Sequence, residues 1–392
     1  MRVYLDHNAT TPLHPAVLQA MLPYLEERFG NPSSIHAWGR EARQALENSR
    51  RAVASALGAI DKDSLVFTGS GTEADNLALK GVLDAKTDGP RHLIVSAVEH
   101  HAILHVAEYL EHRGCAVTRL RVDGDGLLDP EDVRRAIRPE TALVSLMHSN
   151  NETGVLFPIA EVARICREQG VLLHTDAVQS FGKVPMNVEA LGVDLVSISG
   201  HKIQGPKGIG ALYVRRGTKM LSLLHGGWQE RSRRGGTENV AGAVGLACAV
   251  ERMHRDLEDA GRRLTELRDR LEAGLMAAVP GVVRNGSPAH RLPNTSNLSF
   301  PGTDAELLIV ALDLQDVGVS SGAACTSGSL EPSHVLGAMG LPPDRARGSI
   351  RFSLGRGTTP DEIDYVLERL PPIVERIRQA NGLMLAGMER SG

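Results

Sequence analysis

Cysteine is scarce in this sequence: Cys115, Cys166, Cys248 and Cys325 are the four in a chain of 392 residues, and no two form a Cys-x-x-Cys pair. That spacing supports neither a disulfide framework nor a compact zinc site, and no metal is expected. A surplus of positive charge is also missing, since 43 Lys plus Arg face 47 Asp plus Glu for a formal net charge of −4. Without a positive field to hold a phosphate backbone, nucleic acid is not expected as a direct partner. Long apolar runs are lacking too. The longest uncharged apolar stretch, 240–250, falls far short of the ~20 residues that cross a bilayer. No apolar h-region follows Met1, so the expectation is a cytoplasmic protein without membrane attachment whose mature chain starts near Met1. Low-complexity tracts and solenoid-period repeats are absent, and 42% hydrophobic residues suffice for a large core over about two to three domains.

From about Leu65 to Val214 the runs SLVFT, HLIVSAV, TALVSLM, VLLHTDA, DLVSIS and GALYV alternate with loops and amphipathic segments. Such alternation predicts an α/β domain with a mostly parallel sheet covered on both faces. Helices are expected at 43–57, 73–80, 102–113 and 159–168, then along a charged, Ala-rich connector from about 240 to 278. Beyond Pro280 the pattern shifts to LPNTSNLSF, a helix near 304–312, the segment VGVSSGAACTSGS, a helix after Pro332, SIRFSLG and a closing helix from Pro360 to about 380. A second, smaller α+β domain fits this half.

Three segments carry chemistry in combination. VFTGSGTEADN sets a glycine turn, Gly69 to Gly71 with Thr72, between a strand and a helix, which suits either a phosphate or a simple helix cap. VLLHTDAVQS ends a buried strand on His174, Asp176 and Gln179, where an acid can meet a ligand at the carboxyl edge of a sheet or cap the next helix. DLVSISGHK ends another strand on Ser199, His201 and Lys202, a lysine that is either exposed or poised for Schiff-base chemistry. Phosphate anchor, pyridinium partner and imine nitrogen are together the three contacts that pyridoxal phosphate requires. SAVEHHAIL adds His100 and His101 at a strand-to-helix junction, and SLMHSNNETG adds Asn150 and Asn151 at a strand end; turn and capping roles compete for both. Of the cysteines, Cys166 and Cys248 share apolar helix faces and Cys115 opens a strand, whereas Cys325 sits among small polar residues on a segment suited to an accessible nucleophile.

These segments, with YLDHNATTP, FGNPSSIH, GPKGIGALYV, GTENV, LPNTSN, SSGAACTSGSLEPSHVL and SIRFSLG, make the sequence resemble, over nearly its whole length, the cysteine desulfurases of the NifS/IscS group in the class V aminotransferase family. The short cysteine loop and GTENV are closer to the NifS type. The resemblance implies an aspartate aminotransferase-like, fold type I architecture, with a large domain at 15–258. It also implies a small domain from 1–14 plus 259–392 that carries the cysteine loop at about 317–330. It further implies that Lys202 binds pyridoxal 5′-phosphate, Asp176 pairs with its ring nitrogen, His100 stacks on the ring, and Gln179 contacts the ring hydroxyl near Asn151. Gly71, Thr72, Ser199 and His201 would hold the phosphate, with Thr237 reaching it from the second subunit of a homodimer. Arg351, near Asn151, would clamp the carboxylate of L-cysteine, and Cys325 would accept sulfur for delivery to a protein such as an iron–sulfur scaffold. Selenocysteine lyase or another class V reaction is the alternative. Two departures from the family pattern, His7 for Asn and Ala323 for Ser, touch none of these roles. The run Glu230–Arg234 is better read as a neighbour of the dimer-shared phosphate site than as an RNA surface.

Overall fold

The computed structural model describes residues 1–321 and 333–389, with side chains to 382. The chain opens on strand β1 (Val3–Tyr4) and helices α1 (Pro15–Glu26) and α2 (Ala37–Ala56). Alternation follows through β2 (Leu65–Thr68), α3 (Gly71–Ala85), β3 (His92–Ser96), α4 (His101–His112), β4 (Ala116–Leu120), α5 (Pro130–Ala136), β5 (Thr141–Met147), α6 (Ile159–Glu168), β6 (Leu172–Asp176), α7 (Val188–Leu191), β7 (Leu195–Ser199) and β8 (Gly210–Val214). Helices α8 (Val240–Arg255) and α9 (Leu257–Ala278) lead into β9 (Val283–Arg284), β10 (Thr295–Ser299), α10 (Ala305–Asp313), β11 (Val317–Gly318), α11 (His334–Ala338), α12 (Pro343–Arg347), β12 (Ser349–Ser353) and α13 (Pro360–Glu389). Among the described residues no helix is long and apolar enough to cross a membrane.

Seven strands form one sheet in the order β2-β8-β7-β6-β5-β3-β4, in which only β8 runs against its neighbours. Helices cover both faces, and β3, β7 and β8, like the edge strand β2, are buried at every position. Two apolar cores lie against it, one including Leu65, Val144, Leu173 and Val250, the other Leu77, Leu83, Leu93 and Leu110. From β3 the chain moves outward to β4, then returns to lay β5 on the other flank. The sheet therefore has a switch point between β3 and β5, and the carboxyl ends of β2, β3, β5, β6 and β7 share one edge. A separate core gathers Leu264, Leu271, Phe300, Leu308, Phe352, Ile363 and Leu370 around β10 and β12, with Val3 and Leu5 from the chain's start buried in it. β1 pairs in parallel with β11, matching Val3 to Val317.

Several elements differ from the sequence expectation. α1 was not among the expected helices; Pro15 in its first turn and the His14 ring, accepting from the Ala16 N–H at 3.0 Å, start it, and it runs through Pro23. α2 begins at Ala37 rather than 43, capped by His36. The expected 240–278 helix is two helices, broken at Asp256 (φ −130°, ψ 25°). Cys115 and Cys166 are buried, and burial lifts the Cys166 thiol to about 12, leaving it a poor thiolate. Cys248 is only half-buried, its Sγ 3.8 Å from the Ala16 carbonyl oxygen.

Candidate active site

At the carboxyl edge, β7 runs into a tight 3₁₀ turn over Gly200–Lys202. A side chain at Gly200 would press on Ile209 and the Pro206 carbonyl at 2.9 Å, so the turn needs glycine. Residues 6–11 lie against this turn. Thr11 donates through its N–H and its hydroxyl to the His201 carbonyl (2.9 and 2.7 Å), and Gln204, at φ 62°, donates its N–H to the Thr11 hydroxyl at 2.8 Å. The Lys202 amine donates to the carbonyls of Asn8 (2.5 Å) and Ala9 (2.8 Å).

Asp176 ends β6 and is 7% exposed, with Oδ1 accepting the Val178 N–H at 2.8 Å. Burial raises its carboxyl to about 6, against the pull of the Lys202 charge. Behind it lie two further buried acids, Asp75 of α3 and Glu99 after β3. The His174 ring donates to or accepts from the Ser145 and Ser197 hydroxyls (2.8 and 2.9 Å) and lies 3.7 Å from Asp75. Burial holds His174 neutral, down to about 3, and lifts Asp75 well above the carboxylate range with help from the Asp176 charge.

Glu99 accepts from the Ser96 hydroxyl (2.6 Å) and the Met147 N–H (3.0 Å), yet burial still raises it from 4.5 to about 8. Folding therefore favours its protonated form, and between about pH 4.5 and 8 the folded state binds more protons than the unfolded one. The stability from this group is complete below the unfolded value and declines as pH rises through the window, by about 1.4 kcal/mol per pH unit. Glu99→Gln keeps the acceptor oxygen and does not titrate. Its denaturation midpoint is expected to fall less than the wild-type midpoint between pH 5 and 8; parallel midpoint curves would contradict this assignment.

The glycine turn is a capped helix start. Ser70 accepts the Glu73 N–H (3.0 Å) and Glu73 accepts the Gly69 N–H (2.8 Å), a reciprocal box at the head of α3. A side chain at Gly71 would meet Val178 at 2.7 Å and Ser199 at 3.3 Å, which places the helix head against the Asp176 turn and the end of β7. Ser199 is buried, Thr72 and Thr237 are exposed, and His201 Nδ1 lies 3.1 Å from the Thr10 hydroxyl. Next to this site, Glu230, Arg231 and Ser232 all sit at positive φ (44°, 55° and 63°), at a cost of about 1–2 kcal/mol per residue. A buried ion pair holds that strain: Arg50 meets Glu230 twice, at 2.6 and 2.8 Å. Arg231 pairs with Asp63, Arg233 donates to the Asp63 carbonyl and Arg234 pairs with Glu73. The basic run is thus spent on internal contacts.

His100 caps α4, Nδ1 accepting the Ala102 N–H at 3.1 Å; burial, then the Lys202 charge, hold it neutral at about 4. Gln179 donates to the Asn8 carbonyl at 2.8 Å. Arg351, on β12, is 2% exposed; it pairs with Asp6 at 2.6 Å and donates to the Asn151 carbonyl at 3.0 Å. Its Nε and the Asn151 Oδ1 have no hydrogen-bond partner among the described residues. Cys325 lies outside the described residues.

Three residues were not singled out in the sequence. Asp6 is the ion partner of Arg351. Asn8 joins the parts of the site, its side chain reaching the Asn151 carbonyl (3.2 Å) and Thr295 (2.9 Å), its main chain Lys202 and Gln179. Lys183 donates to Asn8 Oδ1 (2.8 Å) and Gln179 Oε1 (2.9 Å), its amine pushed well below the usual lysine range by burial and by the Lys202 and Arg351 charges. DHNATTP and QSFGK are the only sequence signals for them.

An amine, a buried acid, a neutral imidazole and a helix head with adjacent hydroxyls suit a flat ligand carrying a carbonyl, a basic ring nitrogen and a phosphate. Among the described residues no group of three or more His, Cys, Asp or Glu is arranged for a metal ion.

The chain matches the aminotransferase class-V family over residues 3–366. It is 49% identical over 376 residues, 96% of this chain and 95% of the relative, to cysteine desulfurase IscS of Dictyoglomus turgidum. It is 50% identical over 376 residues, 96% of this chain and 94% of the relative, to cysteine desulfurase of Trichormus azollae. Among solved structures it is similar to a NifS-like protein (38% identity, TM-score 0.90, 96% of this chain and 100% of that one). It also resembles SspA in complex with cysteine (35% identity, TM-score 0.81, 92% and 100%).

Proposed function

The chain belongs to the aminotransferase class-V family and is a cysteine desulfurase, and from that premise we propose that it binds pyridoxal 5′-phosphate at the carboxyl edge of the large sheet and converts L-cysteine to L-alanine. The observation that carries this reading is the convergence of Lys202, Asp176 and the head of α3, with Gly71 kept bare beside Val178 and Ser199. When bound, the group supplies an electron sink that acidifies the substrate Cα–H.

The chain's residues do the rest. Lys202 would hold the cofactor, and its amine would take the substrate Cα proton. Asp176 pairs with the protonated ring nitrogen, whose charge favours the ionised carboxyl that burial alone opposes. His100 covers the ring as a neutral imidazole, and Gln179, near Asn151, serves the ring hydroxyl. The head of α3 at Gly71 and Thr72, with Ser199 and His201, holds the phosphate. Arg351 takes the substrate carboxylate beside its Asp6 pair, through a buried guanidinium whose Nε has no hydrogen-bond partner among the described residues. The Cys325 thiolate attacks the substrate sulfur; the S–S bond forms as the Cβ–S bond breaks, and the bonding pair stays on the three-carbon fragment, which is protonated and leaves as alanine.

A second copy of the chain completes the site through Thr237. Supporting this are large apolar side chains left in water, Phe29 (75% exposed), Ile35 (89%) and Trp228 (88%), and the exposure of Thr237 itself. The persulfide passes to an acceptor protein such as an iron–sulfur scaffold, in a cytoplasm reducing enough to keep the thiol free. Product analysis tests the reading. Incubation with L-cysteine should yield equal amounts of alanine and sulfide in the presence of thiol, whereas a keto acid product, or turnover of selenocysteine alone, would overturn it.

A further inference from the structure

Glu152 is used by none of the steps above, yet it is a fully enclosed carboxyl, 2% exposed, one residue past Asn151. Its main chain is fixed on both sides: the N–H donates to Asn150 Oδ1 at 2.9 Å, and the carbonyl accepts from Asn297 at 3.3 Å. Its side chain reaches across the fold, where Oε2 accepts the Ser333 hydroxyl proton at 2.5 Å. Ser333 is itself buried and heads α11, accepting the Leu336 N–H at 3.2 Å. It stands eight positions after Cys325 in the sequence.

The upstream flank of the same stretch is tied to the same place. Ser320 and Arg351 exchange main-chain hydrogen bonds (2.6 and 3.3 Å), and the Arg351 guanidinium donates to the Asn151 carbonyl. Both flanks of the Cys325 segment therefore converge on the pair Asn151–Glu152, beside the arginine assigned to the substrate carboxylate. The charged group facing Glu152 is Arg351. A buried carboxyl costs stability unless its hydrogen bonds repay it.

We propose that Glu152 is a positioning residue for sulfur abstraction, holding Ser333 so that the downstream flank of the Cys325 segment keeps a fixed place relative to Asn151 and Arg351. The inference rests on Cys325 being the sulfur acceptor.

Two readouts separate this from general support of the fold: sulfide release, which needs Cys325, and exchange of the L-alanine Cα proton with deuterated solvent, which needs Lys202 and the cofactor contacts but not Cys325. Glu152→Ala and Ser333→Ala are each expected to slow sulfide release about 10- to 100-fold, the range that a small misplacement of a reacting group costs. The double variant should be no slower than the slower single one, with Cα exchange within about twofold of wild type throughout. Ser333→Asp keeps an acceptor for the helix cap but no hydroxyl to donate, and should behave like Ser333→Ala; Ser333→Thr restores the donor and should recover turnover. Losses that multiply in the double variant, an active Ser333→Asp, or exchange falling in step with sulfide would each overturn the proposal. Should Glu152→Ala fail to fold, the contrast of Ser333→Asp with Ser333→Thr remains decisive. Sulfide release at the wild-type rate from Cys325→Ala would overturn the sulfur-acceptor reading instead, and would do so without altering the Glu152–Ser333 coupling.

Discussion

Lys202→Ala is expected to abolish both alanine and sulfide formation, slowing turnover by about 10⁴-fold or more, because one amine performs two tasks. In the proposed reaction it carries the cofactor and takes the Cα proton, a role worth about 10²–10⁴ alone. No nearby group substitutes for it. Lys183 is the other amine of the site, but its two donor contacts to Asn8 and Gln179 hold it there. Absorbance spectra check the first task, since the band of the lysine-bound cofactor should vanish, and product assays check the second. Retention of more than about one-hundredth of wild-type turnover would assign the proton transfer to another residue.

Cys325→Ala is expected to separate the two halves of the reaction. The cofactor band should persist and Cα exchange should continue near the wild-type rate, because Lys202, Asp176 and His100 are untouched. Sulfide release should fall by roughly 10³-fold or more, the loss of a nucleophile whose role no solvent thiol reproduces from within the site. The other thiols offer no relief: burial raises Cys166 to about 12 and also lifts Cys115 and Cys248. Desulfuration at full rate in this variant would remove Cys325 from the chemistry.

Much of the site was legible because the large sheet announces itself. Buried strands read as short apolar runs, and a polar residue where such a run stops is placed at the sheet edge; Asp176, Ser199 and Lys202 were found in this way. Other parts rest on contacts that no local pattern encodes. Asn8 bonds Gln179 at a separation of 171 residues, and Asp6 pairs with Arg351 at 345. Within DHNATTP each of these residues looks like an ordinary turn former. The ion partners of the run Glu230–Arg234 are hidden for a related reason: Asp63, Glu73 and Arg50 lie more than 150 residues upstream. The break at Asp256 was hidden by continuous helical composition on both sides.

The Asn8 N–H donates to the Ser353 hydroxyl, 345 residues later. At roughly 5–20 residues per second, translation delivers Ser353 some 20 s to over a minute after Asn8. The nascent chain can therefore assemble β2 to β8 on the ribosome while its first ten residues still wait for β10 and β12. The Lys202 amine reaches its final setting only when nearly the whole polypeptide has emerged, so capture of the proposed cofactor is expected at the end of synthesis, and a ribosome stalled before residue 353 would display a folded sheet with an unfinished site.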